Sequence, residues 1–130
     1  MILLDTHVVL WLLTDPKRIS KVAADAIAEH GAKGMLPGIS AASIYELIYA
    51  KRRGRIQLHT PDVALLTRMR QWFDLIPVTD GIAVEAAGFS GAFHGDPMDR
   101  LIAATALTGG YTLLTVDETI RDAGVCKTLW

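Results

Sequence analysis

Short apolar runs alternating with segments of helical period constrain this chain more than any other feature. Met1–Leu4, Met35–Ser40, Leu75–Val78, Thr112–Val116 and Val125–Leu129 read as strands, the second weakened by Pro37 and Gly38. Between them run helical segments with recognisable ends. Thr6–Leu13 is broken by Thr14-Asp15-Pro16. Ser20 caps a helix with Val22, Ala23, Ala26 and Ile27 inward, ended by Gly31. Ser40–Arg53 turns Ile44, Leu47 and Ile48 inward and closes at Gly54. Thr60-Pro61-Asp62 starts another helix, with Pro61 at its first helical position. Asp80–Ala87 is a short helix. Asp96-Pro97 opens a strong one that runs to Leu107 and closes at Gly109-Gly110. A strand that returns to its sheet through a helix pairs in parallel. The alternation therefore predicts an α/β fold with a mainly parallel sheet of four or five strands. A chain of 130 residues builds one core, so a single domain over residues 1–130 is expected.

Composition narrows the class. With 51% hydrophobic and 21% charged residues, the chain can bury a core and is not disordered. A net charge of −1 neither demands nor excludes nucleic acid, because a local basic patch suffices for phosphate. Cys126 is the only cysteine, which rules out an internal disulfide or a cysteine-based zinc site and suits a reducing cytosol. Its place near the terminal strand suggests packing rather than chemistry. The apolar N-terminus lacks a basic leader and carries Asp5 inside its run, so it is a poor signal peptide. No apolar stretch reaches membrane-spanning length, and a cytoplasmic protein without membrane contact is the expectation.

The chemistry rests on acids attached to apolar elements. Asp5 directly follows the first strand, and Asp117 follows "LLTV". Asp99 sits in the first turn of the helix before that strand, and Glu46 lies mid-helix in "SAASIYELI". In open parallel sheets, ligands bind beyond the carboxyl ends of the strands. Taken singly, Asp5, Asp96 and Asp117 read as helix caps, Asp99 as a first-turn acid, and Glu46 as a solvated glutamate. Taken together, they have a cost if they converge. Two carboxylates about 5 Å apart at an effective dielectric of about 20 repel by roughly 3 kcal/mol. Three such pairs cost about 10 kcal/mol, comparable with the stability of a small domain. Such a cluster must hold protons or cations, and all-oxygen coordination suits Mg²⁺ or Mn²⁺ rather than zinc.

The segments "LLDTHVVLWLL", "SAASIYELIYAKRRGRI", "HGDPMDRLIAATAL" and "LLTVDETI" resemble, in order and approximate spacing, the PIN domain. More narrowly, they resemble the VapC-type toxins of toxin–antitoxin pairs. The resemblance covers nearly the whole chain. It implies a three-layer α/β/α sandwich and Mg²⁺- or Mn²⁺-dependent cleavage of RNA. Asp5, Glu46, Asp99 and Asp117 match the family's four acids as catalytic and metal-holding residues. Asp96 is either an additional acid of the set or simply a helix cap. Thr6, Ser43 and Thr115 fall where the family keeps small hydroxyls, and each either orients a carboxylate or is an ordinary turn or cap residue. The resemblance further implies a homodimer and a small antitoxin over the active site. Operator DNA would be contacted through the antitoxin complex.

The expected reaction is metal-assisted phosphodiester hydrolysis, with one ion acidifying a water and a second, if present, stabilising the leaving oxygen. Two other functions compete: a PIN-like interaction module without catalysis, and a structure-selective DNA nuclease. "KRRGR" at Lys51–Arg55 is the one dense basic run; it offsets the dipole of its helix end or, as a minority reading, contacts RNA. Arg100 pairs with an acid at the rim or holds a phosphate. His7 is expected on a helix surface, His94 in a loop, and His30 and His59 in solvent or loops. Trp11, Trp72 and Trp130 are expected in a core or dimer interface.

Overall fold

The computed structural model describes all residues except 92 and 94. Five strands, β1 (Ile2–Leu4), β2 (Gly38–Ser40), β3 (Asp74–Ile76), β4 (Thr112–Leu114) and β5 (Thr128–Leu129), form a sheet in the order β3-β2-β1-β4-β5. Every pairing is parallel. The helices are α1 (Thr6–Thr14), α2 (Lys21–Ala32), α3 (Ala41–Arg52), α4 (Asp62–Trp72), α5 (Asp80–Gly88), α6 (Pro97–Gly109) and α7 (Glu118–Ala123). A 3-10 turn at Pro16–Arg18 follows α1.

The strands' alternation builds three layers. Ile2, Leu4, Ile39 and Leu114 face one side and pack with Val8, Val9, Leu47, Leu65 and Met69 from α1, α3 and α4. Leu3 and Leu113 face the other side and pack with Ile102, Ala103 and Ala106 of α6 and Ile120 of α7. Gly38 lets β2 seat closely: a Cβ there would lie 2.8 Å from Ile76 Cδ1 and 3.3 Å from the Ile2 carbonyl oxygen.

Strand order locates the crevice. The chain lays down β1, β2 and β3 in one direction, then crosses back to place β4 on β1's other flank. The carboxyl ends of β1 and β4 therefore meet at the switch point of the sheet, where parallel α/β folds bind ligands. The Asp5 amide donates to the Leu114 carbonyl at 3.0 Å and ties the two ends together.

Several local expectations need correction. The α2 helix runs past Gly31 to Ala32, because glycine in a helix is costly but not prohibitive. Val22 is exposed, and the inward face of α2 is Ala23 with Ala26 and Ile27. Pro61 is the N-cap of α4 rather than its first helical residue. The short α7 carries no apolar period long enough to read; its only local signs are the Asp117 cap and Gly124 in the left-handed region. Trp11 is buried against Trp130 at 5.7 Å; Trp72 is 47% exposed with Arg68 over its ring, so of the two expected places the core is excluded for it. His30, expected in solvent or a loop, is buried in α2 with Nε2 3.2 Å from the Leu36 carbonyl oxygen. His7 and His59 are exposed, and His94 lies outside the described residues.

Candidate metal centre

Each acid is placed by a backbone rule before it takes part in any cluster. Asp5 leaves β1 in extended conformation and caps α1, its Oδ1 accepting from the Thr6 amide at 2.7 Å. Asp117 caps α7 through the Ile120 amide at 3.1 Å, and Asp96 caps α6 through the Met98 amide at 2.9 Å. Asp99 lies in the first turn of α6. Ser40 caps α3 through the Ala42 amide at 3.1 Å, and Glu46 sits one turn further along. The capping reading and the cluster reading are compatible at Asp96, which caps α6 and also has a carboxylate oxygen within 4.8 Å of Glu46 and Asp99.

Two hydroxyls contact the acids, and a third contacts one of those two. Thr115 is fully buried; its hydroxyl donates to Asp5 Oδ2 at 2.6 Å and accepts from the Asp117 amide at 3.0 Å. The Thr6 hydroxyl lies 2.7 Å from Glu46 Oε1 and 3.0 Å from Ser43 Oγ. Having one proton, Thr6 donates to the carboxylate and accepts from Ser43. Thr6 and Thr115 thus each bond a carboxylate directly, and Ser43 bonds Thr6.

Carboxylate oxygens of Glu46, Asp96 and Asp99 all lie within 4.8 Å of one another. Burial pushes the Asp99 carboxyl up to about 8, with Asp96, Asp5, Glu46 and Asp117 adding repulsion in that order. Burial also raises Glu46, against the Thr6 hydrogen bond and with added repulsion from Asp96 and Asp5. Asp5 is raised mainly by burial, opposed by the hydrogen bonds from Thr115 and Thr6. Glu46 therefore does not point away from the others. Asp99 feels the other four acids, and the Asp96 carboxylate lies within the same 4.8 Å limit of Glu46 and Asp99.

The basic residues resolve differently from expectation. Among the described residues, no acid pairs with Arg100 at the rim. Its guanidinium donates to the carbonyls of Phe89 at 2.7 Å, Ala86 at 3.1 Å and Phe93 at 3.4 Å, clamping the end of α5 and the segment after it. Within the run 51–55, Lys51 and Arg52 both bind Asp62 in the first turn of α4, at 2.7 and 2.8 Å. Sequence reasoning missed this clamp, since nothing local in "KRRGR" names a partner eleven residues away. Cys126 is partly buried against the α6 side of the sheet, and burial pushes its thiol up to about 11.

Among known proteins, the PIN domain profile matches residues 2–125. Ribonuclease VapC22 of Mycobacterium tuberculosis (strain ATCC 25618 / H37Rv) is 36% identical over 121 residues, 93% of this chain and 90% of that protein. Among solved structures, VapBC2 from Rickettsia felis bound to a DNA fragment from their promoter superposes with a TM-score of 0.74 at 16% identity, covering 99% of this chain and 98% of that one. FitAcB from Neisseria gonorrhoeae gives a TM-score of 0.67 at 22% identity, over 100% and 97% of the two chains. At these identities the structures speak for the fold alone.

Proposed function

The chain belongs to the PIN-domain family, and from that premise we propose that it is a divalent-metal-dependent endoribonuclease acting as the toxin of a toxin–antitoxin pair. The observation that carries the reading is the convergence of Glu46, Asp96 and Asp99, with Asp5 and Asp117 close enough to perturb Asp99. The donor set fits a hard cation: it is all carboxylate oxygen, and burial together with repulsion from the neighbouring carboxylates holds the proton of one member, Asp99, to about 8. Glu46, Asp96 and Asp99 would hold Mg²⁺ or Mn²⁺, with Asp5 and Asp117 alongside. When bound, such an ion supplies charge neutralisation and Lewis acidity at the phosphoryl group.

The chain's own residues orient that chemistry. Thr115 fixes Asp5 and the Asp117 backbone together, and Thr6 fixes Glu46. Support of this kind around ligands is what sets their aim. The N-termini of α1 and α6 open on the same crevice, and their amide dipoles favour a phosphate there. The ribonuclease relative supports RNA as the substrate. Solved chains of the same fold come from toxin–antitoxin complexes, which makes a small antitoxin the partner to seek, with operator DNA reached through that complex. A homodimer completes the proposal and is read by sedimentation.

The deciding experiment is Asp5→Asn, checked for native fold and assayed on single-stranded RNA with Mg²⁺ or Mn²⁺. Cleavage should fall by about 100-fold. Wild-type cleavage by this variant would remove Asp5 from the machinery. Calorimetric titration of Mn²⁺ separates the enzyme from a binding-only module, which needs no such site.

A further inference from the structure

One exposed array has no role in the site described above. Tyr45 precedes Glu46 on α3 and is 57% exposed; Tyr49, one turn on, is 42% exposed. Their rings stack with centroids 5.7 Å apart and planes inclined by 18°. One turn further, the Arg53 guanidinium sits 5.4 Å from the centre of the Tyr49 ring. A shallow cavity of about 390 Å³ lies along this face, lined by Ala41, Ile44, Tyr45, Ile48, Tyr49 and Arg52. Large aromatic surface left open to water is costly unless something covers it.

Charge indicates what covers it. Lys51 and Arg52 are held by Asp62, whereas no carboxylate among the described residues pairs with Arg53. An acid cluster repels a polyanion, and a net charge of −1 gives little general attraction, so a strand entering the crevice needs local purchase beside it. From Glu46 to Arg53 the helix rises roughly 10 Å, a span that two extended nucleotides cover. Aromatic faces interleaved with a cation are the means by which proteins hold single strands without reading their sequence.

We propose that Tyr45, Tyr49 and Arg53 form a track for single-stranded RNA, on which bases leaving the acid crevice stack while Arg53 takes a phosphate. The proposal rests on the ribonuclease reading above. It also divides the basic run: Lys51 and Arg52 brace α3 on α4, and Arg53 serves the substrate.

The test uses the full chain and a fluorescein-labelled single-stranded RNA 12-mer of mixed sequence, with binding read by fluorescence anisotropy in EDTA and cleavage read separately with Mn²⁺. Tyr45→Ala and Tyr49→Ala should each weaken binding by about tenfold and raise KM more than they lower kcat, while Tyr45→Phe restores both. Arg53→Ala should reduce the slope of log affinity against log salt by about 0.7, and Arg52→Ala should leave it unchanged. If folded alanine variants bind the RNA as wild type does but change the sedimentation coefficient, the face joins two copies of the chain and the track is refuted. Wild-type protein that cleaves RNA, with the Tyr45, Tyr49 and Arg53 variants unaffected, overturns the track alone. Wild-type protein that neither binds nor cleaves RNA overturns the track together with the nuclease reading.

Discussion

The Thr115 hydroxyl donates to Asp5 Oδ2 at 2.6 Å across 110 residues of sequence, at the one place where the carboxyl ends of β1 and β4 meet. Thr115 Oγ1 also accepts from the Asp117 amide at 3.0 Å. A single buried hydroxyl thus sets the positions of two acids. Thr115→Val keeps the shape and removes both bonds, leaving a buried carboxylate oxygen and a partly buried amide without that partner. The loss should be about 1–3 kcal/mol in denaturant unfolding and about 10- to 100-fold in RNA cleavage. Thr115→Ser should recover most of both. A valine variant with native activity would reduce Thr115 to a turn residue.

The acid cluster makes stability depend on pH in a definite direction. An unfolded aspartate releases its proton near 3.8, whereas in the fold Asp99 keeps its proton to about 8. Between those values the native state binds more protons than the unfolded one, so raising the pH lowers stability, and the contribution is lost above about pH 8. Burial raises Asp5 and Glu46 in the same sense. In metal-free buffer, Tm should therefore fall between about pH 5 and about pH 8. Asp99→Asn should flatten that fall, and saturating Mn²⁺ should flatten it in the wild type by replacing the proton with a cation. Melting curves across the range decide it, and an unaltered slope in Asp99→Asn would place the proton elsewhere.

Arg100 is a test of bracing rather than catalysis. Its fork satisfies three carbonyls that a lysine cannot reach together. Arg100→Lys should cost roughly 2–3 kcal/mol, seen as a lower denaturant midpoint with little change in its slope. Faster amide exchange in α5 should accompany the loss. Equal stability in the lysine variant would mean that the carbonyls find other partners.

What could be read from the sequence followed local rules. Asp5, Asp96 and Asp117 cap helices, Ser20 and Ser40 do likewise, and Gly54 and Gly110 end helices at positive φ, because capping and left-handed backbone depend on a few neighbouring residues. The alternation of strands and helices fixed the class for the same reason, and it pointed to the carboxyl ends of the strands; the strand order that makes β1 and β4 the switch point came from the fold. The resemblance then supplied the acid set. Pro61, Gly31 and Val22 erred by a position or a face, the usual latitude of element boundaries.

The rest belonged to tertiary structure alone. That Lys51 and Arg52 meet Asp62, that Arg100 turns to three carbonyls, and that His30 lies buried are contacts between elements, which no local pattern encodes. Asp96 looked like a cap with or without a second role; only the approach of α6 to α3 brought its carboxylate within reach of Glu46 and Asp99. Sequence determined which residues carry charge and which helix end each one holds. The packing of α3 and α6 around β1 and β4 decided that those charges share one crevice, because repulsion between carboxylates depends on distance in space and not on separation along the chain.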